Sequence, residues 1–126
     1  MIIHDPGHKY QLEMYNGNYM SGDKDVILTF MKREGKGYPG NVGRYAGTNV
    51  QEVLRALIDR IEYLDNQIHD DRNDAILENL RRSLYMLEER AADRHRRQFS
   101  NIILHDIERY PTCPICGHIG CSLERH

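Results

Sequence analysis

The sequence predicts an α+β protein: an N-terminal β-hairpin, then a long antiparallel helical hairpin, then a small Cys-rich C-terminal tail. Three changes of pattern carry this. Apolar residues alternate or run together in short stretches before residue 47, recur at spacings of three and four between 48 and 98, and give way to clustered cysteines after 99. The chain has 126 residues, the size of one ordinary domain. Within it the zones are 1–47 (β-hairpin and Gly-rich loop), 48–98 (helical hairpin, for oligomerisation and ligand binding) and 99–126 (a segment with a Cys/His cluster).

In the first zone, Tyr10, Leu12 and Met14 alternate with polar residues and share one face of a strand. From Asp25 to Met31 nearly every residue is apolar or β-branched, as expected of a strand covered on both sides. Asn16-Gly17 and Ser21-Gly22-Asp23 lie between the two as turn signals. Two strands alone are marginally stable, so they must lean on something else. The segment Gly35–Gly47 carries five glycines and one proline with Lys36, Arg44, Tyr38 and Tyr45 interleaved. It reads either as a linker or as a flap whose amides, cations and tyrosines close over an anionic ligand.

The second zone opens with two overlapping capping boxes, Thr48/Gln51 and Asn49/Glu52. Leu54, Leu57, Ile61, Leu64 and Ile68 then form one apolar stripe on a helix over 49–68, and Leu77, Leu80, Leu84, Leu87 and Ala91 form another on a helix over 73–97. The polar stretch His69–Asp74 between them predicts a tight turn and antiparallel packing. A single seam buries little, so Val53, Ile58, Ile76 and Met86 are expected to face another copy of the chain.

Composition narrows the chemistry. Hydrophobic residues make up 40% and charged residues 29%, and no apolar run approaches the ~20 residues of a membrane helix. Met1–Asp5 lacks the features of a signal peptide, so a cytosolic setting is expected. The net charge of −2 argues against nucleic acid as a partner bound by a whole-molecule field. There is no nucleophile elbow, HExxH, kinase signature or phosphate-binding glycine loop, so the sequence predicts a protein that is not an enzyme and has no organic cofactor. His4, His69 and His105 each adjoin an Asp, a pattern chance explains.

Two groups of residues retain chemical interest. Arg90, Arg94 and Arg97 share one helical face and suit bidentate phosphate binding, or else a solvated, ion-paired helix end; Arg55 and Arg60 carry the same ambiguity. Cys113, Cys116, Cys121 and His126 offer four zinc ligands at tight-knuckle spacing, with His118 as an alternative fourth, pointing to structural zinc rather than to disulfides in a chain with three cysteines.

The stretches Gly47–Leu64 and Leu80–Arg97, with their EVLRxLIDRIxYL and LxxRxxDRxRR segments, resemble the helical-hairpin domain of phage anti-defence nucleotide sponges, which counter the Thoeris and CBASS immune systems. Tyr10, Leu12 and the Val26–Phe30 strand look like the β-hairpin preceding the helices in the Thoeris-directed branch. The resemblance implies a homo-oligomer, hexameric in the family, acting in the cytoplasm of the infected bacterial host. It implies binding, without hydrolysis, of cyclic ADP-ribose isomers such as glyco-cyclic ADP-ribose, or of cyclic di- and trinucleotides. Carried over by position, Arg55, Arg60, Arg90, Arg94 and Arg97 are the phosphate-binding residues, and Tyr63, Arg44 and Tyr45 the base-facing or lid groups. The cysteine tail extends beyond the hairpin that ends the family members, and zinc there would be an elaboration clamping the C-terminus. A reading from another class is a small oligomeric interaction protein that binds protein or nucleic acid through a zinc-knuckle tail.

Overall fold

The computed structural model describes residues 1–15, 26–33 and 44–94. They fall into two compact units that divide between Asn49 and Val50. In chain order the elements are β1 (Ile2–Asp5), β2 (Lys9–Leu12), β3 (Val26–Thr29), β4 (Lys32–Arg33), β5 (Arg44–Tyr45), α1 (Val50–Gln67) and α2 (Asp71–Arg94).

The first unit holds a three-stranded antiparallel sheet in the order β1-β2-β3. The β2–β3 pairing is the hairpin expected from the alternation in residues 9–14 and the apolar run after Asp25. Strand β1 is additional. It is returned onto β2 by Asp5-Pro6-Gly7-His8, where the His8 amide donates to the Asp5 carbonyl at 2.9 Å and Gly7 takes a φ of 82°. Proline then glycine at the two central positions is the signature of a type II turn, whose second central residue needs a positive φ. The ladder steps from Ile3↔Tyr10 to Asp5↔Lys9, leaving His4 as the extra residue of a bulge, with its Nε2 2.7 Å from Gln11 Oε1.

Strand β3 is not covered on both sides as its composition predicts. Val26 and Ile27 are exposed, and Leu28 and Thr29 are half-buried. β-Branched residues also suit a strand whose faces are only partly packed, so an apolar run alone does not reveal a second layer. Tyr10 meets Phe30 edge-on at 5.9 Å and 84°. Beyond β3 the backbone clamps Thr48: the Thr48 amide donates to the Thr29 carbonyl at 2.9 Å and the Met31 amide to the Thr48 carbonyl at 2.8 Å. Strands β4 and β5 pair as a separate two-stranded ribbon.

The second unit is an antiparallel pair of helices. Helix α1 begins at Val50, so of the two capping boxes it is Asn49 and Glu52 that occupy the N-cap and N3 positions. Its seam with α2 is built from Ile58, Leu77 and Leu84, with Leu54, Ile61, Leu80 and Tyr85 packed around them. This corrects the expected stripe. Ile58, expected to face another copy, is 2% exposed in the seam, whereas Leu57 is 45% and Ile68 82% exposed. The apolar arc of α1 is wider than one neighbouring helix can cover, and spacings of three and four do not say which edge of the arc is taken. On α2, Leu77, Leu84 and Ala91 are buried as the periodicity predicts, and Ile76 and Met86 are exposed.

The turn at 68–70 is held by one carboxylate. Asp65 accepts from the Asp70 amide at 3.0 Å, from Asn73 Nδ2 at 2.9 Å and from His69 Nδ1 at 3.1 Å. Asp70 in turn caps α2, its Oδ1 accepting from the Arg72 amide at 2.9 Å. The Asn73 bond, the Asp70 amide and His69 hold the Asp65 carboxyl down to about 2 against an ordinary 3.8, while Asp65 and Asp71 raise His69. The two shifts act at opposite ends of the pH scale. A depressed carboxyl stabilises the fold above its ordinary pKa and loses that contribution as pH falls from 3.8 towards 2; a raised imidazole stabilises below 6.5 and loses its part as pH climbs through its raised value. The hairpin is therefore expected to be most resistant to urea between those limits. Asp65→Asn should flatten the acid limb and leave a shallower pH profile; an unchanged acid limb would show that Asp65 does not hold the turn.

Candidate ligand-binding surface

Helix α1 displays a short ladder of polar and aromatic groups on its outward side. Positions 60, 63 and 67 follow each other at spacings of three and four, which places them one above the next on a helix. The Arg60 guanidinium carbon lies 5.8 Å from the centroid of the Tyr63 ring, and Gln67 Nε2 donates to the Tyr63 hydroxyl at 3.0 Å. All three are exposed. The contact with the ring orients the guanidinium while leaving its N–H groups in water. The bond from Gln67 fixes the phenol tip. The result is a flat aromatic face beside a cation with a planar set of donors, a pair of chemistries that suits a base next to a phosphate.

Of the residues singled out in the sequence, the structure brings Arg60 and Tyr63 together and sends Arg55 elsewhere. Arg55 is five residues before Arg60 and so turns away from it, into the seam. There its Nη2 meets Glu88 Oε1 at 3.1 Å, with side-chain exposures of 10% and 0%, and its Nη1 lies 3.6 Å from Glu52 Oε2. Together with the Glu62–Arg81 pair it ties the two helices across their polar edge. Arg90 is exposed on α2, a different helix from the ladder. Arg94 is the last residue given for α2, and Arg44 and Tyr45 form β5, paired with Arg33 and Lys32. The side chains of Arg44, Tyr45 and Arg94 lie outside the described residues, as do Arg97, Cys113, Cys116, Cys121 and His126.

Gln67 was not singled out in the sequence, although its place four residues after Tyr63 is the signal that finds it. The turn supplies a second unforeseen grouping: His69 Nε2 lies 2.9 Å from Asp71 Oδ1, and ligand atoms of His69, Asp71 and Asp74 lie within 4.8 Å of one another on the exposed surface. Their closeness comes from the capping turn, which pairs His69 with the Asp two residues on rather than its immediate neighbour. Among the described residues no helix is long and apolar enough to cross a membrane. No protein-family model, curated protein or solved structure matches the chain.

Proposed function

We propose that this protein is a phage immune-evasion protein that binds and sequesters cyclic nucleotide immune signals without cleaving them, so that Thoeris or CBASS effectors are not activated. The signals are cyclic ADP-ribose isomers such as glyco-cyclic ADP-ribose, or cyclic di- or trinucleotides. The observation that carries the reading is the Arg60–Tyr63–Gln67 ladder, which sets a guanidinium against an exposed ring at 5.8 Å and braces that ring at its hydroxyl. Sequestration requires affinity and no transition-state chemistry, which fits a sequence without a catalytic motif. The reading includes a homo-oligomer, six copies by resemblance, in the cytoplasm of the infected host. It also includes a structural zinc held by Cys113, Cys116, Cys121 and His126. Arg90, Arg94 and Arg97 are assigned to phosphate, and Arg44 and Tyr45 to a lid. Arg55 acts through the hairpin it ties together.

Mutation of the ladder tests the site by calorimetric titration with a cyclic ADP-ribose isomer or a cyclic dinucleotide. Stacking of one base on an aromatic ring is worth about 1–3 kcal/mol, so Tyr63→Ala should weaken binding at least about fivefold while Tyr63→Phe keeps most of it. Arg60→Ala should weaken it comparably. Wild-type affinity in both alanine variants would remove the ladder from the site.

A further inference from the structure

We infer that the turn between the helices binds a divalent transition-metal ion of the zinc type, held by His69 Nε2, Asp71 and Asp74, with Asp65 as the positioning residue behind the imidazole. Asp71 and Asp74 stand three apart on the first turn of α2 and so share a face. The turn delivers His69 onto that face, and ligand atoms of the three residues lie within 4.8 Å of one another. The set is an imidazole with two carboxylates rather than a group of acids alone. Imidazole suits zinc, nickel and copper, whereas magnesium and calcium take oxygen ligands.

The hydrogen-bond partners decide which ring nitrogen meets the ion. Asp65 faces Nδ1 at 3.1 Å, and an ionised carboxylate can only accept, so the ring carries a hydrogen there. In the neutral ring Nε2 is then an acceptor, yet it faces a second acceptor, Asp71 Oδ1, at 2.9 Å. Two acceptors at that distance need a positive charge between them. A proton serves this pair and leaves Asp74 out, whereas a divalent ion serves all three ligands. Two ligands at right angles around an ion, each about 2.1 Å from it, are about 3.0 Å apart, which the 2.9 Å contact matches. Asp71 is 98% exposed and Asp74 is exposed, so both carboxylates can turn to close the remaining distance. The imidazole is oriented in advance from outside the ligand set: Asp65 is fixed by the Asp70 amide at 3.0 Å and by Asn73 Nδ2 at 2.9 Å. A metal-bound histidine characteristically donates its other N–H to such a carboxylate, which sets the tautomer and makes the ring a stronger ligand. The neighbouring cation, Arg72, is engaged by Asp70 at 2.6 Å.

The inference stands apart from the nucleotide reading and from the cysteine tail, and is tested without nucleotide by titrating the full chain with Co2+, a paramagnetic stand-in for zinc, and following backbone amide signals by nuclear magnetic resonance. Broadening is expected to centre on the amides of residues 69–74 and to saturate as a single site. The dissociation constant for Co2+ read from those signals should rise at least about tenfold in His69→Gln and in Asp74→Asn. Should His69→Gln loosen the turn, Asp74→Asn decides, because Asp74 takes no part in the bonds that Asp65 makes. A hundredfold excess of Mg2+ should leave the Co2+ affinity within about twofold. Broadening absent from residues 69–74, broadening there that persists unchanged in His69→Gln, an Asp74→Asn affinity within twofold of the wild type, or displacement of Co2+ by Mg2+, which would mean that carboxylates alone hold the ion, would each overturn the inference.

Discussion

Replacing Glu88 by alanine is expected to destabilise the helical hairpin by about 3–5 kcal/mol, the cost of breaking a buried ion pair by removing one partner. Glu88 is fully buried and Arg55 is 10% exposed, with 3.1 Å between the paired atoms. Neither charge can return to water while the helices stay packed. Taking away the carboxylate leaves the guanidinium in the seam without its buried counter-charge, while Glu52, at 3.6 Å from Nη1, is exposed. The whole stability of a small unit is only a few kcal/mol, so Glu88→Ala should leave the hairpin largely unfolded in mild urea, read by far-ultraviolet circular dichroism. The double variant Arg55→Leu with Glu88→Leu supplies the contrast. Replacing a buried pair by apolar residues of similar volume is often neutral or stabilising, so its midpoint should return to that of the wild type or exceed it. A shift of less than about 1 kcal/mol in Glu88→Ala would mean that the pair does not hold the helices, since surface pairs are worth that little.

The second large effect lies in the other unit, at Gly47. A Cβ built there would sit 2.5 Å from the carbonyl carbon of Phe30, 2.6 Å from the Met31 nitrogen and 2.7 Å from the Thr29 oxygen. All three are backbone atoms, which cannot swing aside as the end of a long side chain does. The adjacent Thr48 makes the two hydrogen bonds, at 2.8 and 2.9 Å, that join this segment to the end of β3. Gly47→Ala must therefore push the segments apart and break those bonds, at about 3 kcal/mol or more, the upper end of the usual cost of overpacking. Gly7→Ala separates clash from conformational strain. Nothing lies within 4 Å of a Cβ at position 7, but φ there is +82°, so its cost is the left-handed penalty alone, about 1–2 kcal/mol. Amide exchange is the readout. The Met31 and Thr48 amides should lose their protection in Gly47→Ala and keep it in Gly7→Ala, and equal protection in both would contradict the close approach.

Much of the fold was legible because it rests on local rules. The period of the apolar residues between Leu54 and Ala91 places both helices, and the alternation at Tyr10 and Leu12 with the run at Val26–Thr29 places the hairpin that β2 and β3 form. The register between elements depends on tertiary choices and was less legible. Leu57 and Ile58 are neighbours of similar hydrophobicity, and only the docking of α2 decides that Ile58 is buried. The first strand has no strong pattern of its own because Ile2–Asp5 is short and mixed, although Asp5-Pro6-Gly7 carries the turn that returns it onto β2. Among the candidate site residues, Arg60 and Tyr63 are three positions apart, a spacing that places them on one face of a helix. Nothing in the order of residues distinguishes Arg55 from Arg60, since one is drawn into the seam by Glu88, 33 positions away. Tyr85 and Tyr63 divide in the same way, the first packed on the core and the second exposed.

The most direct test of the proposed sequestration is a thermal-melt panel of the purified full chain against cyclic ADP-ribose isomers, cyclic dinucleotides and cyclic trinucleotides, followed by heat release and chromatography of whatever stabilises it. A ligand at a hundredfold excess over its dissociation constant adds about 2.7 kcal/mol per site, a shift of several degrees. Such a shift is expected for at least one messenger, with that messenger recovered intact and the shift lost in Tyr63→Ala. No shift with any messenger, or recovery of a cleaved product, would contradict sequestration.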